Sequence, residues 1–207
     1  MIKLLTKEIY KEPTMSKMTS IVSGPSRDLK WIYNNKHFNG KVIDYGCGKV
    51  ARNSIYLREQ GLQVYSYDPY WGKPNVNGWK DISKDLPTDK FDIGFTCFVL
   101  NVVNIIEENE ILNWMKSHCN KDFHITRNKD ISSLIRSSLK KQNKRLIKFL
   151  KKHLSFDETK PYTEEDIENI AHHGILTVKG FQRIPELKDK EYKLIKIKTG
   201  VKIYERE

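Results

Sequence analysis

Two carboxylates stand at the ends of neighbouring apolar runs, and between them lies a short glycine loop. Asp44 follows Val42-Ile43, Asp68 follows Leu62 to Tyr67, and the loop is Gly46-Cys47-Gly48. From Val42 to Pro69 the order reads as strand, acid, glycine loop, helix and second strand. In such units a nucleotide-like ligand binds beyond the carboxyl ends of parallel strands. Gly46-x-Gly48-x-x-Ala51 also satisfies the dinucleotide fingerprint, with Asp68 at about the spacing of its ribose-binding acid, so the glycines alone do not choose a ligand. Asp44 helps to choose. A carboxylate just before a pyrophosphate cradle repels the dianion that a helix amino terminus attracts. A ligand with a positive sulfonium and a free amino group suits the pair of acids better.

With the pattern apolar-apolar-acid-x-Gly-x-Gly, the stretch resembles the first motif of the class I S-adenosylmethionine-dependent methyltransferases. The resemblance implies S-adenosyl-L-methionine as cofactor, with Asp44, Tyr45, Gly46 and Gly48 along its methionine and adenosine side. Asp68, followed by Pro69, would accept hydrogen bonds from both ribose hydroxyls. Asp81-Ile82 falls where that family places an acid near the adenine amino group, although Asp81 equally suits a cap on the turn before Leu86-Pro87. Cys97 and Phe98, at the end of a fourth strand, would flank the adenine or the methyl donor. Asn101 and Tyr70 are the candidates to frame the acceptor and so the catalytic candidates. Val50 stands where many members have a third glycine.

Asp68-Pro69-Tyr70-Trp71 also looks like the Asp/Asn-Pro-Pro-aromatic motif of amino-methylating nucleic-acid enzymes. That motif ends the fourth strand, whereas this one ends the second. SGPSRDL, DYGCG, YDPYW and FVLNVV together resemble the methyltransferases found beside DNA phosphorothioation systems, a likeness that spans roughly residues 20 to 105.

The elements that must position these residues follow from periodicity and turn chemistry. A helix is expected over about 26–36, strands at 41–45, 62–67, 77–82, 91–100 and 123–126, and a helix over 105–118. Residues 175–184, 192–198 and 201–204 alternate like antiparallel strands, matching the sixth and seventh strands that finish such a sheet. The expected fold class is therefore α/β and Rossmann-like, a mostly parallel seven-stranded sheet with an antiparallel C-terminal strand. One domain over 26–207 is preceded by a segment, 1–25, that reads equally as a lid or a mobile terminus. His124, alone within a strand, reads as structural more readily than catalytic.

A formal net charge of +11 favours contact with something anionic. Its densest stretch is the helical segment 130–153, where Lys140, Lys141, Lys144 and Arg145 crowd beside an apolar stripe. They form either a solvated cationic face or a ridge that engages the phosphates of a nucleic acid. Three cysteines without CxxC spacing, no apolar run of membrane length and no metal-ligand spacing point to a reducing cytoplasm, no membrane and no metal. The expected function is methyl transfer to a nucleic acid or a nucleic-acid-associated substrate. The alternatives are a small-molecule methyltransferase and a non-catalytic, viral-type module that binds the same cofactor.

Overall fold

The computed structural model describes residues 24–127, 130–141, 159–161, 163–177, 180–198 and 200–207, with positions 144, 147, 148 and 151 besides. Residues 1–23, and with them the expected lid, lie outside the described residues, as does Arg145.

Helix α1 (Arg27–Asn35) starts at Ser26, whose hydroxyl accepts from the amides of Asp28 and Leu29. It buries Leu29 and Ile32 completely, worth about 1.5–3 kcal/mol each relative to exposure. Then follow β1 (Lys41–Tyr45), α2 (Arg52–Glu59), β2 (Gln63–Tyr67), β3 (Ile82–Ser83), β4 (Phe91–Cys97), α3 (Ile105–His118) and β5 (Cys119–Arg127). Helix α3 begins in a capping box, Asn104 with Glu107. Helices α4 (Asp130–Lys140) and α5 (Glu164–His173) pack on each other and are joined by the Arg136–Glu164 ion pair. Strands β6 (Ile175–Thr177) and β7 (Gly180–Gln182) form a separate hairpin, and β8 (Tyr192–Lys198) and β9 (Val201–Arg206) close the main sheet.

The main sheet has seven strands in the order β3-β2-β1-β4-β5-β9-β8, all parallel except β9. This is the expected fold class. Successive residues of the central strands feed opposite faces. Val42, Val64, Ile93, Phe95 and Ile125 pack with α1 and α2, while Ile43, Tyr65 and Tyr67 join Ile111, Leu112 and Met115 of α3. The sheet reverses its order between β1 and β4, and in sheets of this kind the crevice outside the carboxyl ends of the strands at such a reversal is where ligands bind.

Three expectations need correction. The third strand is two residues long, not six, because Asn77 nucleates a turn: its carbonyl accepts from the amides of Lys80 and Asp81 and its side chain from that of Trp79. Strand β4 stops at Cys97 because Phe98 takes φ 64. Strands β6 and β7 do not join the main sheet, which β8 and β9 complete instead.

Candidate functional site

The glycine loop is pinned to the end of β2, since the amides of Gly46 and Cys47 both donate to the Tyr67 carbonyl, at 2.8 and 3.0 Å. Gly46 has φ +77, and a Cβ there would be driven into the side chain of Val99 on the loop after β4. Gly48 has φ +72 but meets nothing within 4 Å of where a Cβ would sit. The first glycine is thus required by packing, and the second by backbone angle and by the clearance it leaves. Helix α2 begins at Ala51, itself left-handed at φ 47, with no side chain on its first amides.

Asp44 lies under this loop with 1% of its surface exposed. Its Oδ2 accepts from Ser54 Oγ of α2 at 2.7 Å, and its Oδ1 has no partner. Burial pushes its pKa from 3.8 to about 7, opposed by the Ser54 hydrogen bond and reinforced by the negative charge of Asp68. Asp68, also buried, accepts three main-chain hydrogen bonds: Gly48 N to Oδ2, and Tyr70 N and Trp71 N to Oδ1, each 2.9 Å. It holds the two loops of the crevice together, and only Oδ2 keeps a lone pair for a hydroxyl. Beside it, the indole Nε1 of Trp71 is buried without a partner, and Lys49 lies 5.3 Å over the same ring.

Other candidates sit differently from expectation. The Tyr45 ring points away from the crevice into the α3 face, 4.7 Å from Tyr67 and 5.7 Å from Trp114, so only its main chain borders the loop. Pro69 is half-buried at the β2 exit and Tyr70 is exposed beside it. Asp81 directly precedes β3, whose two residues pair with the last two of β2. Its Oδ1 accepts from the amide of Ile82 and its other oxygen is 3.8 Å from Lys73, while the turn before Leu86-Pro87 is held by Ser83, whose hydroxyl accepts from the amide of Asp85. Ile82 itself is half-buried within β3.

Cys97 and Phe98 do reach the carboxyl rim. Burial pushes the Cys97 thiol up to about 12 and raises that of Cys47 as well, so neither is a thiolate near neutrality. Asn101 is 3% exposed and its amide is spent on main chain: Nδ2 donates to the carbonyls of Arg127 and Arg183, and Oδ1 accepts from Arg127 N. The side chain therefore positions the ends of β4 and β5 and offers no donor to an acceptor molecule. His124 is fully buried, its Nδ1 2.8 Å from Thr96 Oγ1, in keeping with a structural role. Lys140, Lys141 and Lys144 are exposed.

Sequence reasoning missed Ser54, the free indole N–H of Trp71, and Arg127, whose guanidinium lies 4.6 Å over the Phe98 ring. Ser54 carried a signal, since a hydroxyl in the first turn of α2 is suited to reach a carboxylate at the preceding strand tip.

No model of a known protein family matches the chain, and no curated protein sequence does. Solved structures do. The glycopeptide N-methyltransferase MtfA, complexed with sinefungin, superposes with a TM-score of 0.51 at 8% identity, over 90% of this chain and 87% of that one. TehB from Haemophilus influenzae gives 0.50 at 14%, over 90% and 64%. PH0226 from Pyrococcus horikoshii OT3 gives 0.50 at 11%, over 85% and 86%. The fold is that of the class I methyltransferases. The glycine loop and Asp44 lie at the carboxyl end of β1, which borders the order reversal, and Asp68 follows β2, its neighbour.

Proposed function

We propose that the chain is an S-adenosylmethionine-dependent methyltransferase. The observation that carries this reading is the buried Asp44, one oxygen unpartnered, beneath a loop whose Gly48 faces open space. Such a carboxyl suits a cationic ligand and disfavours a diphosphate. Asp44 would attract the positive end of the cofactor, the free lone pair of Asp68 Oδ2 would take a ribose hydroxyl, and the Trp71 N–H is available to an adenine ring nitrogen. When bound, the cofactor supplies a methyl carbon: an acceptor lone pair bonds to it as the carbon–sulfur bond breaks towards sulfur, and any acceptor proton leaves to water. What the chain contributes is chiefly alignment, worth up to ~7 kcal/mol or more in favourable cases.

For the acceptor, the exposed lysines of α4 and the turn after it support a nucleic acid or a nucleic-acid-associated substrate. The motif likeness to methyltransferases beside DNA phosphorothioation systems points the same way. A reducing, cytoplasmic setting suits the three unpaired cysteines, and no described helix is long and apolar enough to cross a membrane.

Calorimetry with S-adenosylmethionine and with NAD tests the cofactor, and labelled-methyl transfer to total DNA, RNA and a metabolite extract tests the acceptor. Binding of NAD in place of S-adenosylmethionine defeats the reading, and binding without transfer to any pool reduces the protein to a cofactor-binding module. If α4 engages phosphates, replacing Lys140, Lys141 and Lys144 by glutamine should flatten the salt dependence of nucleic-acid binding by roughly 2–3 in log–log slope. An unchanged slope removes the nucleic-acid role of this helix.

A further inference from the structure

The carboxyl rim of the sheet carries opposite charges on its two halves. Asp44 and Asp68 stand at the ends of β1 and β2, and Arg127 at the end of β5. With the donor ligand over the first pair, the part of the crevice above β4 and β5 is left for the second reactant. Arg127 is half-buried, and no carboxylate among the described residues lies within ion-pair distance of it. Its guanidinium rests instead on the Phe98 ring. A guanidinium laid on a ring keeps its N–H edge free for the two oxygens of a phosphate or carboxylate.

Two features hold this pair in place, and both cost something. Phe98 adopts φ 64, uncommon for an aromatic residue, and its amide donates to Ile125 O at 2.8 Å, which sets the ring beside the end of β5. Asn101, buried, grips the main chain of Arg127 through both its N–H and its carbonyl, each at 2.9 Å. A strained residue and a dedicated buried amide therefore converge on one cation that the described chain leaves without a counter-ion.

We propose that Arg127, on its Phe98 platform, is an oxyanion site that receives a phosphate or carboxylate of the molecule to be methylated. That the bound molecule is a methyl acceptor rests on the methyltransferase reading above. The anion site itself does not. A cationic donor drawn to Asp44 and an anionic acceptor drawn to Arg127 are sorted to opposite halves of one crevice, which fixes their mutual orientation before reaction.

The test is titration of the full chain with inorganic phosphate and, separately, with benzoate, in the wild type, Arg127→Ala, Arg127→Lys and a control, Lys193→Ala. Folding is checked by melting curves, and Arg127→Met is added to preserve the packing of the stem should the alanine variant prove unstable. Wild type should bind one probe saturably, phosphate indicating a phosphoester-bearing acceptor and benzoate a carboxylic acid. Arg127→Ala, or Arg127→Met, should weaken that binding about tenfold or more, with Arg127→Lys recovering part and Lys193→Ala unchanged. The assignment is overturned if wild type binds neither probe, if affinity survives the loss of Arg127, or if Lys193→Ala weakens it equally. S-adenosylmethionine affinity, measured in parallel, should be unaltered in Arg127→Ala; its loss there would move the residue to the donor side and overturn the acceptor assignment. Failure of wild type to bind S-adenosylmethionine would end the methyltransferase reading while leaving the anion titration to stand or fall alone.

Discussion

Asp44 shows how a single buried carboxyl can weigh against the fold that encloses it. Its carboxyl keeps a proton that the unfolded chain gives up between pH 3.8 and about 7. The stability associated with that proton is fully present below the lower value and is lost as pH rises through the higher one, an effect of up to about 4 kcal/mol. Asp44→Asn keeps a partner for Ser54 and removes the ionisation. Denaturant unfolding at pH 5 and pH 8 should therefore show the variant losing less stability than wild type over that interval, with weaker S-adenosylmethionine binding at pH 8; equal losses would contradict the burial argument. The two glycines separate in the same way. Gly46→Ala combines a left-handed backbone with a clash against Val99 and should cost about 2–4 kcal/mol. Gly48→Ala bears only the backbone cost of about 1–2 kcal/mol and should act chiefly on cofactor affinity in calorimetry.

At the scale of elements, α3 and the stretch between β7 and β8 are tied through a buried ion cluster. Glu108 on α3 is fully buried between Arg183, also fully buried, and Lys190, at 2.7 Å from the latter. Removing its charge strands a buried guanidinium, so Glu108→Ala should destabilise by about 3–5 kcal/mol; a chemical denaturation midpoint unchanged from wild type would refute this. Nothing in the sequence marked the cluster, because its members are 75 and 82 residues apart. The glycine loop was legible because its residues are neighbours in sequence as in space, and β1, α3, β8 and β9 were legible as single uninterrupted runs: apolar for β1, at helical spacing for α3, and on either side of Thr199-Gly200 for β8 and β9. The short β3 and the early end of β4 were not. Asn77 opens a turn and Phe98 takes a positive φ, and periodicity carries no information about a single φ angle. Arg127, and the structural role of Asn101, escaped for the related reason that both depend on which strands lie side by side.

For the whole molecule, the sheet order puts β9 between β5 and β8, as the one strand running against the rest. Glu205 pairs there with Lys36 and Lys121, and Arg206 donates to the carbonyl of Cys119. A chain shortened to residue 200 would lose an interior strand, not a tail. β5 would present a naked ladder of amides and carbonyls, and β8 would have no partner within the sheet. The expected result is self-association through strand exchange, visible as rising light scattering at concentrations where the intact chain stays dispersed, and complementation in trans by a peptide of residues 201–207 should suppress it.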